Sequence, residues 1–230
     1  VEEDERVATA YHEAGHAVIQ YLLEDTDPLH KVTIIPRGPA MGATLSLPEK
    51  DRHGYGSRYL LATMRVLCGG RIAEQKKTQE VSSGAAADIQ MMTRFARHMI
   101  IEWGMSDKLG FVSYDLDDNT GNFVTEKPYS QETARLIDEE IRRLAGDAYE
   151  EARQIIEQHW DEVDNIARAL LKFESLAYDE VEKVMRGEEL AKPTVVELLE
   201  AEQGKSKSSA KPAKDDAADD APPDALPSPA

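Results

Sequence analysis

The sequence predicts a mainly α-helical fold with one small β-hairpin or sheet and a C-terminal helical bundle. Over most of the first 187 residues, apolar residues recur every three or four positions, which is the spacing of one face of an amphipathic helix. Two short segments after the first helical stretch are instead rich in β-branched and apolar residues, with proline near their ends, as expected of a hairpin. Hydrophobic residues make up 41% of the chain, which is enough for a core, and the 31% of charged residues are typical of a soluble chain.

The first helix is predicted from about residue 4 to residue 24. Asp4 and Glu5 place acidic side chains near its start, where they favour the positive end of the helix dipole. Pro28 ends the pattern, because the residue before a proline is disfavoured in helical conformation. The apolar stripe of this helix consists of Val7, Ala10, Tyr11, Ala14, Val18, Tyr21 and Leu22.

The motif His12-Glu13-Ala14-Gly15-His16 lies inside this helix. Side chains four residues apart share one helix face, so His12 and His16 can bind one zinc ion while Glu13 lies beside it as a general base. The motif therefore indicates zinc-assisted hydrolysis of an amide bond, against the alternative of two ordinary surface or core histidines. Gly15 is unfavourable in a helix and predicts a close approach of another backbone.

A catalytic zinc site usually has three protein ligands, and the third must lie further along the chain. Position 22 is Leu22, so the third histidine of the metzincin pattern is absent. Asp88 stands in the first turn of a helix whose apolar stripe continues to Ile100, which is a rigid place from which to hold a metal. The alternatives are that Asp88 is an ordinary first-turn acid, or that Glu74 is the third ligand.

The hairpin is predicted from residues 31–36 and 42–48. Its edge could pair with an extended peptide and hold it over the metal, or the hairpin could only cap the core. A helix follows over residues 55–77, with Cys68 expected to be buried and unreactive. The segment Gly69-Gly70-Arg71 indicates either a break in the middle of this helix or close packing of the helix against a neighbour.

A mobile loop is expected from Lys108 to Ser130, because Asp, Asn, Thr and Gly are frequent there. Ser130 begins a long helix, and two more are predicted near 160–173 and 177–186. Their apolar stripes either bury one another as a bundle or face a neighbouring subunit.

The predicted organisation is a domain over residues 1–187, with an N-terminal part at 1–110 and a C-terminal helical part at 129–187. Residues 188–230 are expected to form a mostly disordered tail rich in Ala, Pro, Lys and Asp. The net charge of −17 argues against nucleic-acid binding. No apolar run approaches the length of a membrane span, and no phosphate-binding loop motif is present.

Taken together, these motifs resemble the protease domain of the FtsH family, which are membrane-anchored, ATP-dependent AAA zinc proteases. The resemblance covers roughly residues 5–187. It is carried by residues 11–17, 30–38, 69–74, 83–89, 103–110 and 129–176. It implies His12, His16 and Asp88 as zinc ligands, Glu13 as general base, and substrate binding by the hairpin edge near 42–47. The chain departs from the family at Gln75, where Glu is usual, and at Ala87, where Asn is common.

The resemblance also implies what surrounds such a domain. Family members assemble as homo-hexamers and carry an AAA ATPase domain and transmembrane segments upstream, so ATP would act only through a domain that this chain lacks. We expect a zinc-dependent endopeptidase that degrades unfolded and membrane-extracted polypeptides on the cytoplasmic side of a membrane, while the fragment itself is soluble. The alternative is a non-catalytic, zinc-containing helical assembly or adaptor module, against which the intact Glu13 argues.

Overall fold

The computed structural model describes residues 3–36, 42–46, 54–115 and 129–208. The helices are α1 (Glu3–Leu22), α2 (Ser57–Thr78), α3 (Ala86–Arg97), α4 (Gln131–Gln158), α5 (Trp160–Phe173), α6 (Tyr178–Met185) and α7 (Val195–Ser208). The strands are β1 (Leu29–Thr33), β2 (Ala43–Ser46) and β3 (Ser175–Ala177), and a π-helical turn (His98–Glu102) extends α3. The mainly α-helical prediction is confirmed. No helix among these described residues is both long and apolar enough to cross a membrane.

Helix α1 is the centre of the first of two compact units, which ends at Pro193. Its C-terminal half is buried on nearly all sides, because α2 packs against one side and α5 against another. A Cβ atom on Gly69 of α2 would lie 2.6 Å from the carbonyl oxygen of Gly15 in α1, so the two helix backbones touch where they cross. The predicted close approach at Gly15 is thereby confirmed, and Gly69 and Gly70 reflect close packing within an unbroken helix.

The small sheet has the strand order β2-β1-β3, and both pairings are antiparallel. The register pairs Val32 of β1 with Thr44 of β2 on one side and with Leu176 of β3 on the other. The predicted hairpin is confirmed as β1 and β2. The third strand was not predicted, because three residues between two helices are too few to show an alternating pattern.

The C-terminal helices share a core with the N-terminal part. Ser130 caps α4, where its hydroxyl oxygen accepts a hydrogen bond from the Thr133 amide at 3.2 Å. Helix α4 packs chiefly on α2 and α5 packs chiefly on α1, with fewer contacts between α4 and α5 themselves. Most of the loop that the sequence predicts as mobile, residues 116–128, lies outside the described residues.

The second unit begins at Thr194 and contains α7, so residues 195–208 are helical where the sequence predicts a mostly disordered tail. A capping box begins this helix. The Glu197 carboxylate accepts a hydrogen bond from the Thr194 amide at 2.7 Å, and the Glu197 amide donates to the Thr194 hydroxyl at 3.3 Å. The rest of the predicted tail, 209–230, lies outside the described residues.

Candidate metal centre

His12 and His16 project from the same face of α1, as their four-residue spacing predicts. Their ring centroids are 4.7 Å apart with the planes nearly perpendicular, and the two Nε2 atoms are 3.0 Å apart. Glycine at position 70 makes room for them, since a Cβ atom there would lie 2.5 Å from Nε2 of His16 and 2.7 Å from Nε2 of His12. The backbone of α2 at Gly70 therefore packs directly against both rings. The sequence alone did not assign this role to Gly70.

The Nδ1 atom of each ring points away from the other histidine and has a hydrogen-bond partner. This partner fixes the orientation of the ring and therefore of its Nε2 atom. Nδ1 of His16 is 2.7 Å from the carbonyl oxygen of Val66, and Nδ1 of His12 is 3.1 Å from Oε2 of Glu74. Carbonyl and carboxylate oxygens accept hydrogen bonds, so both Nδ1 atoms act as donors. In the neutral imidazoles the lone pairs are then on the two Nε2 atoms that face each other, which is the state a metal requires.

Asp88 completes the group from the first turn of α3. Its Oδ2 atom is 3.2 Å from Nε2 of His12 and 3.4 Å from Nε2 of His16. The ligand atoms of the three residues all lie within 4.8 Å of one another. The structure thus brings together the three residues that the sequence analysis selected as metal ligands.

Glu74, the alternative third ligand, lies behind His12. Its Oε2 atom faces Nδ1 of His12, and its other oxygen accepts a short hydrogen bond from the Ser82 hydroxyl. The two nitrogens of an imidazole point away from each other, so a carboxylate at Nδ1 is on the far side of the ring from Nε2. This position is typical of a residue that orients a metal-binding histidine, and the geometry favours Asp88 over Glu74 as ligand.

The electrostatics of the group favour positive charge at its centre. Burial lowers the pKa of His12, but hydrogen bonds with Asp88 and Glu74 outweigh this effect and raise it to about 9. Burial raises the pKa of Asp88, but its interactions with His12 and His16 outweigh this effect and hold that pKa well below its usual range. The same negative surroundings that stabilise a proton on His12 would stabilise a cation between the three ligand atoms.

The donor set and its spacing fit zinc. Two imidazole nitrogens with one carboxylate oxygen is a ligand set found in catalytic zinc sites. Tetrahedral zinc with bonds of ~2.0–2.1 Å holds neighbouring ligand atoms about 3.3 Å apart. The three separations here are 3.0, 3.2 and 3.4 Å.

Glu13 lies on α1 beside the paired histidines but turns towards the sheet, and only 6% of it is exposed. Its Oε2 atom accepts a hydrogen bond from the Thr44 hydroxyl at 2.7 Å. A Cβ atom on Gly42 would lie 2.8 Å from its Oε1 atom, so the backbone before β2 packs against the carboxylate. Sequence reasoning missed Thr44, because its contact with Glu13 depends on how the hairpin folds over α1.

The group opens into a cleft with a volume of about 910 Å³. Its walls come from α1, from residues 42–44 at the start of β2, from α2, and from residues 82–88. The hairpin therefore borders the same cleft as the histidines, as one of the two hairpin alternatives predicts. Cys68 is buried, and burial raises the pKa of its thiol to about 12, which agrees with the prediction that it is unreactive.

Comparison with known proteins points to one family. The sequence profile described as Peptidase family M41 matches residues 1–184. The chain is 44% identical over 220 residues to "ATP-dependent zinc metalloprotease FtsH 2" of Methylacidiphilum infernorum, an alignment that covers 93% of this chain and 34% of that protein. It is 45% identical over 186 residues to "ATP-dependent zinc metalloprotease FtsH" of Chlamydia trachomatis, covering 79% of this chain and 20% of that protein.

A eukaryotic relative gives a similar match. The chain is 40% identical over 199 residues to "ATP-dependent zinc metalloprotease YME1 homolog" of Caenorhabditis elegans, covering 86% of this chain and 28% of that protein. The chain thus spans about a third or less of the length of these curated relatives.

Proposed function

The chain belongs to peptidase family M41, and from that premise we propose that it is a zinc-dependent endopeptidase, the proteolytic part of an ATP-dependent protease. The observation that carries the proposal is the convergence of His12, His16 and Asp88 within 4.8 Å, with Glu13 beside them in the same cleft. We assign the three converging residues as zinc ligands and Glu13 as the general base. The names of the relatives, all zinc metalloproteases, support zinc as the metal.

Zinc, when bound, acidifies a water molecule and polarises the scissile carbonyl. The carboxylate of Glu13 accepts a proton from the attacking water and then delivers it to the leaving amine. Glu74 keeps the His12 ring in the tautomer whose Nε2 atom is free to bind, and the Val66 carbonyl does the same for His16. Burial of Glu13 limits its access to bulk water, so the proton it takes up stays close to the reacting bond.

Strand β2 is the proposed binding edge for the substrate. It is an outer strand of the sheet, and among the described residues no strand pairs with its far side. An extended polypeptide can add to such an edge through main-chain hydrogen bonds, which select an unfolded conformation rather than a sequence. Residues 42–44 of this edge line the cleft, so a bound peptide would pass close to Glu13. Unfolded and membrane-extracted polypeptides are accordingly the proposed substrates.

The proposed assembly is a homo-hexamer in which an AAA ATPase domain and membrane-spanning segments belong to the same protein. The short share of each relative that the chain covers supports the proposed additional domains, because most of each relative lies outside the match. The domain would act on the cytoplasmic side of the membrane, and ATP would be used by the ATPase domain alone.

Casein hydrolysis by the assembled, zinc-loaded protein tests the proposed function. We expect cleavage that a chelator abolishes and added zinc restores. The oligomeric state is measured in the same samples, so that loss of assembly is distinguished from loss of chemistry. Absence of chelator-sensitive cleavage in an assembled, zinc-loaded sample would favour the alternative, a non-catalytic zinc-containing adaptor.

A further inference from the structure

The hydroxyl of Thr44 makes a polar contact with the proposed general base. Its Oγ1 atom is 2.7 Å from Oε2 of Glu13 and 3.3 Å from the Glu13 carbonyl oxygen. A hydroxyl has one proton to donate, and the shorter distance to a charged acceptor favours the carboxylate. Thr44 therefore donates to Glu13 and retains only acceptor capacity towards anything else.

The second oxygen of Glu13 is confined by backbone. Gly42 approaches so closely that an added Cβ would lie 2.8 Å from Oε1 and 2.9 Å from Cγ of Glu13. A free glutamate side chain has several rotamers, and fixing one of them has an entropic cost. Thr44 and Gly42 thus hold the Glu13 carboxylate from two directions. Thr44 donates a hydrogen bond to one oxygen, and the backbone of Gly42 packs against the other.

Thr44 also belongs to the strand that is proposed to bind substrate. The strand is anchored on one side, where Thr44 pairs with Val32 of β1, and its other edge is the proposed peptide-binding edge. A peptide that pairs with this edge would fix the backbone of β2 and, with it, the hydroxyl that orients Glu13. One residue therefore connects substrate binding to the position of the base.

We propose that Thr44 is a positioning residue for the general base, coupling the occupancy of the β2 edge to the orientation of the Glu13 carboxylate. This inference rests on the proposed function, since it takes Glu13 to be the base. It assigns Thr44 no contact with the metal and no bond to the substrate. Its effect is on the reaction step rather than on binding, because misplacement of a catalytic group by about 1 Å can cost about 100-fold in rate.

The test compares Thr44→Val, which removes the hydroxyl at nearly constant shape, with Thr44→Ser, which keeps it. Thr93→Val is the matched control, because the Thr93 hydroxyl donates to the carbonyl oxygen of Ile89 in its own helix, at 2.7 Å on an exposed surface. Each variant is prepared as the assembled, zinc-loaded protein. The measurements are kcat and KM for a short quenched-fluorescent peptide derived from casein, zinc stoichiometry, and the melting temperature.

For Thr44→Val we expect kcat to fall about 10- to 100-fold with KM changed less than about threefold, and with zinc content and melting temperature near those of the parent. Thr44→Ser should recover most of the activity, and Thr93→Val should match the parent. An unchanged kcat, a rise in KM alone, or loss of zinc in Thr44→Val would each overturn the proposal, and so would failure of Thr44→Ser to restore activity. Glu13→Gln is measured in parallel: an active Glu13→Gln contradicts the proposed function itself, whereas an inactive Glu13→Gln with a fully active Thr44→Val contradicts only the role of Thr44.

Discussion

At the scale of single residues, two carboxylates near the paired histidines have different neighbours, and the neighbours separate their roles. Oδ2 of Asp88 faces the Nε2 atoms of His12 and His16 at 3.2 and 3.4 Å, whereas Oε2 of Glu13 faces the hydroxyl of Thr44. A metal ligand must present its charge to the nitrogen pair, and a base must keep a lone pair available for water. Asp88→Asn should therefore lower the affinity for zinc, and Glu13→Gln should lower kcat.

Glu13→Gln should retain zinc and lose hydrolysis. The amide is isosteric and can still accept the hydrogen bond from Thr44, but it cannot take a proton from water, so we expect kcat to fall by about 100- to 10,000-fold. Casein cleavage and zinc stoichiometry measured on the same sample check this. Substantial residual proteolysis in a zinc-loaded sample would contradict Glu13 as the base.

Asp88→Asn should weaken zinc binding more than Glu74→Gln does. The first change removes a charge from the proposed ligand atoms. Glu74 instead contacts Nδ1 of His12, on the far side of the ring from Nε2, and the loss of such a supporting residue typically costs about 10- to 100-fold in metal affinity. Competition with a chromophoric chelator measures both affinities. A larger loss for Glu74→Gln would return the third-ligand role to Glu74.

At the scale of elements, the crossing of α1 and α2 determines where the centre can form. The two helices touch backbone to backbone at Gly15 and Gly69, and the next residue of α2, Gly70, contacts both imidazoles. A side chain at this crossing would separate the helices and move the histidines away from Asp88. The crossing is therefore part of the candidate metal centre as well as of the core.

Gly69→Ala should lower the free energy of unfolding by about 1–3 kcal/mol through overpacking, because the new Cβ meets the backbone of Gly15, which cannot rotate away. Gly146→Ala is the matched control within α4. A Cβ at Gly146 meets nothing within 4 Å, so the helix should gain about 0.5–1 kcal/mol. Urea denaturation measures both changes. Equal effects at the two glycines would contradict tight packing at the crossing.

Helices whose apolar residues recur over many turns were predictable from the sequence, and elements that depend on contacts between distant residues were not. The apolar stripes of α1 and α4 and the motif around His12 are local patterns, so their positions were predicted within a few residues. Strand β3 exists because Leu176 pairs with Val32, more than a hundred positions earlier, and no local signal marks it. The contact of Thr44 with Glu13 likewise requires the hairpin to fold over α1, which sequence spacing does not show.

At the scale of the whole molecule, acid should unfold the protein partly through Glu140. This side chain of α4 is 2% exposed and accepts hydrogen bonds from Arg143 at 2.9 Å and from Ser106 at 2.7 Å. The hydrogen bond from Arg143 outweighs burial and lowers the pKa of Glu140 from 4.5 to about 2. A depressed carboxylate pKa contributes stability that is present above about pH 4.5 and is lost as the pH falls towards about 2.

Glu140→Gln should therefore lower stability at pH 7 by about 2 kcal/mol, since solvent screens the partly exposed Arg143 partner. The difference in unfolding free energy between parent and variant should shrink as the pH falls from 5 towards 2. Denaturation at several pH values measures this difference. Titration of the groups around His12 and His16 is the same in parent and variant, so it cancels when the two free energies are subtracted. A pH-independent difference would show that Glu140 contributes through packing alone.

The pairing of β1 with β3 has a consequence for a protein that is made from its N-terminus onward. Helix α1 and strand β1 emerge before their partners, because the packing partner α5 and the strand β3 come from residues 160–177. A chain truncated after Phe173 should bind zinc much more weakly than the whole unit, and equal affinity in the two would refute this dependence. A nascent chain on the ribosome is itself an extended polypeptide, which is the class of substrate proposed for the β2 edge. If the proposed metal centre forms only when α5 and β3 have been synthesised, a nascent chain would lack the proposed proteolytic activity until most of the unit is complete.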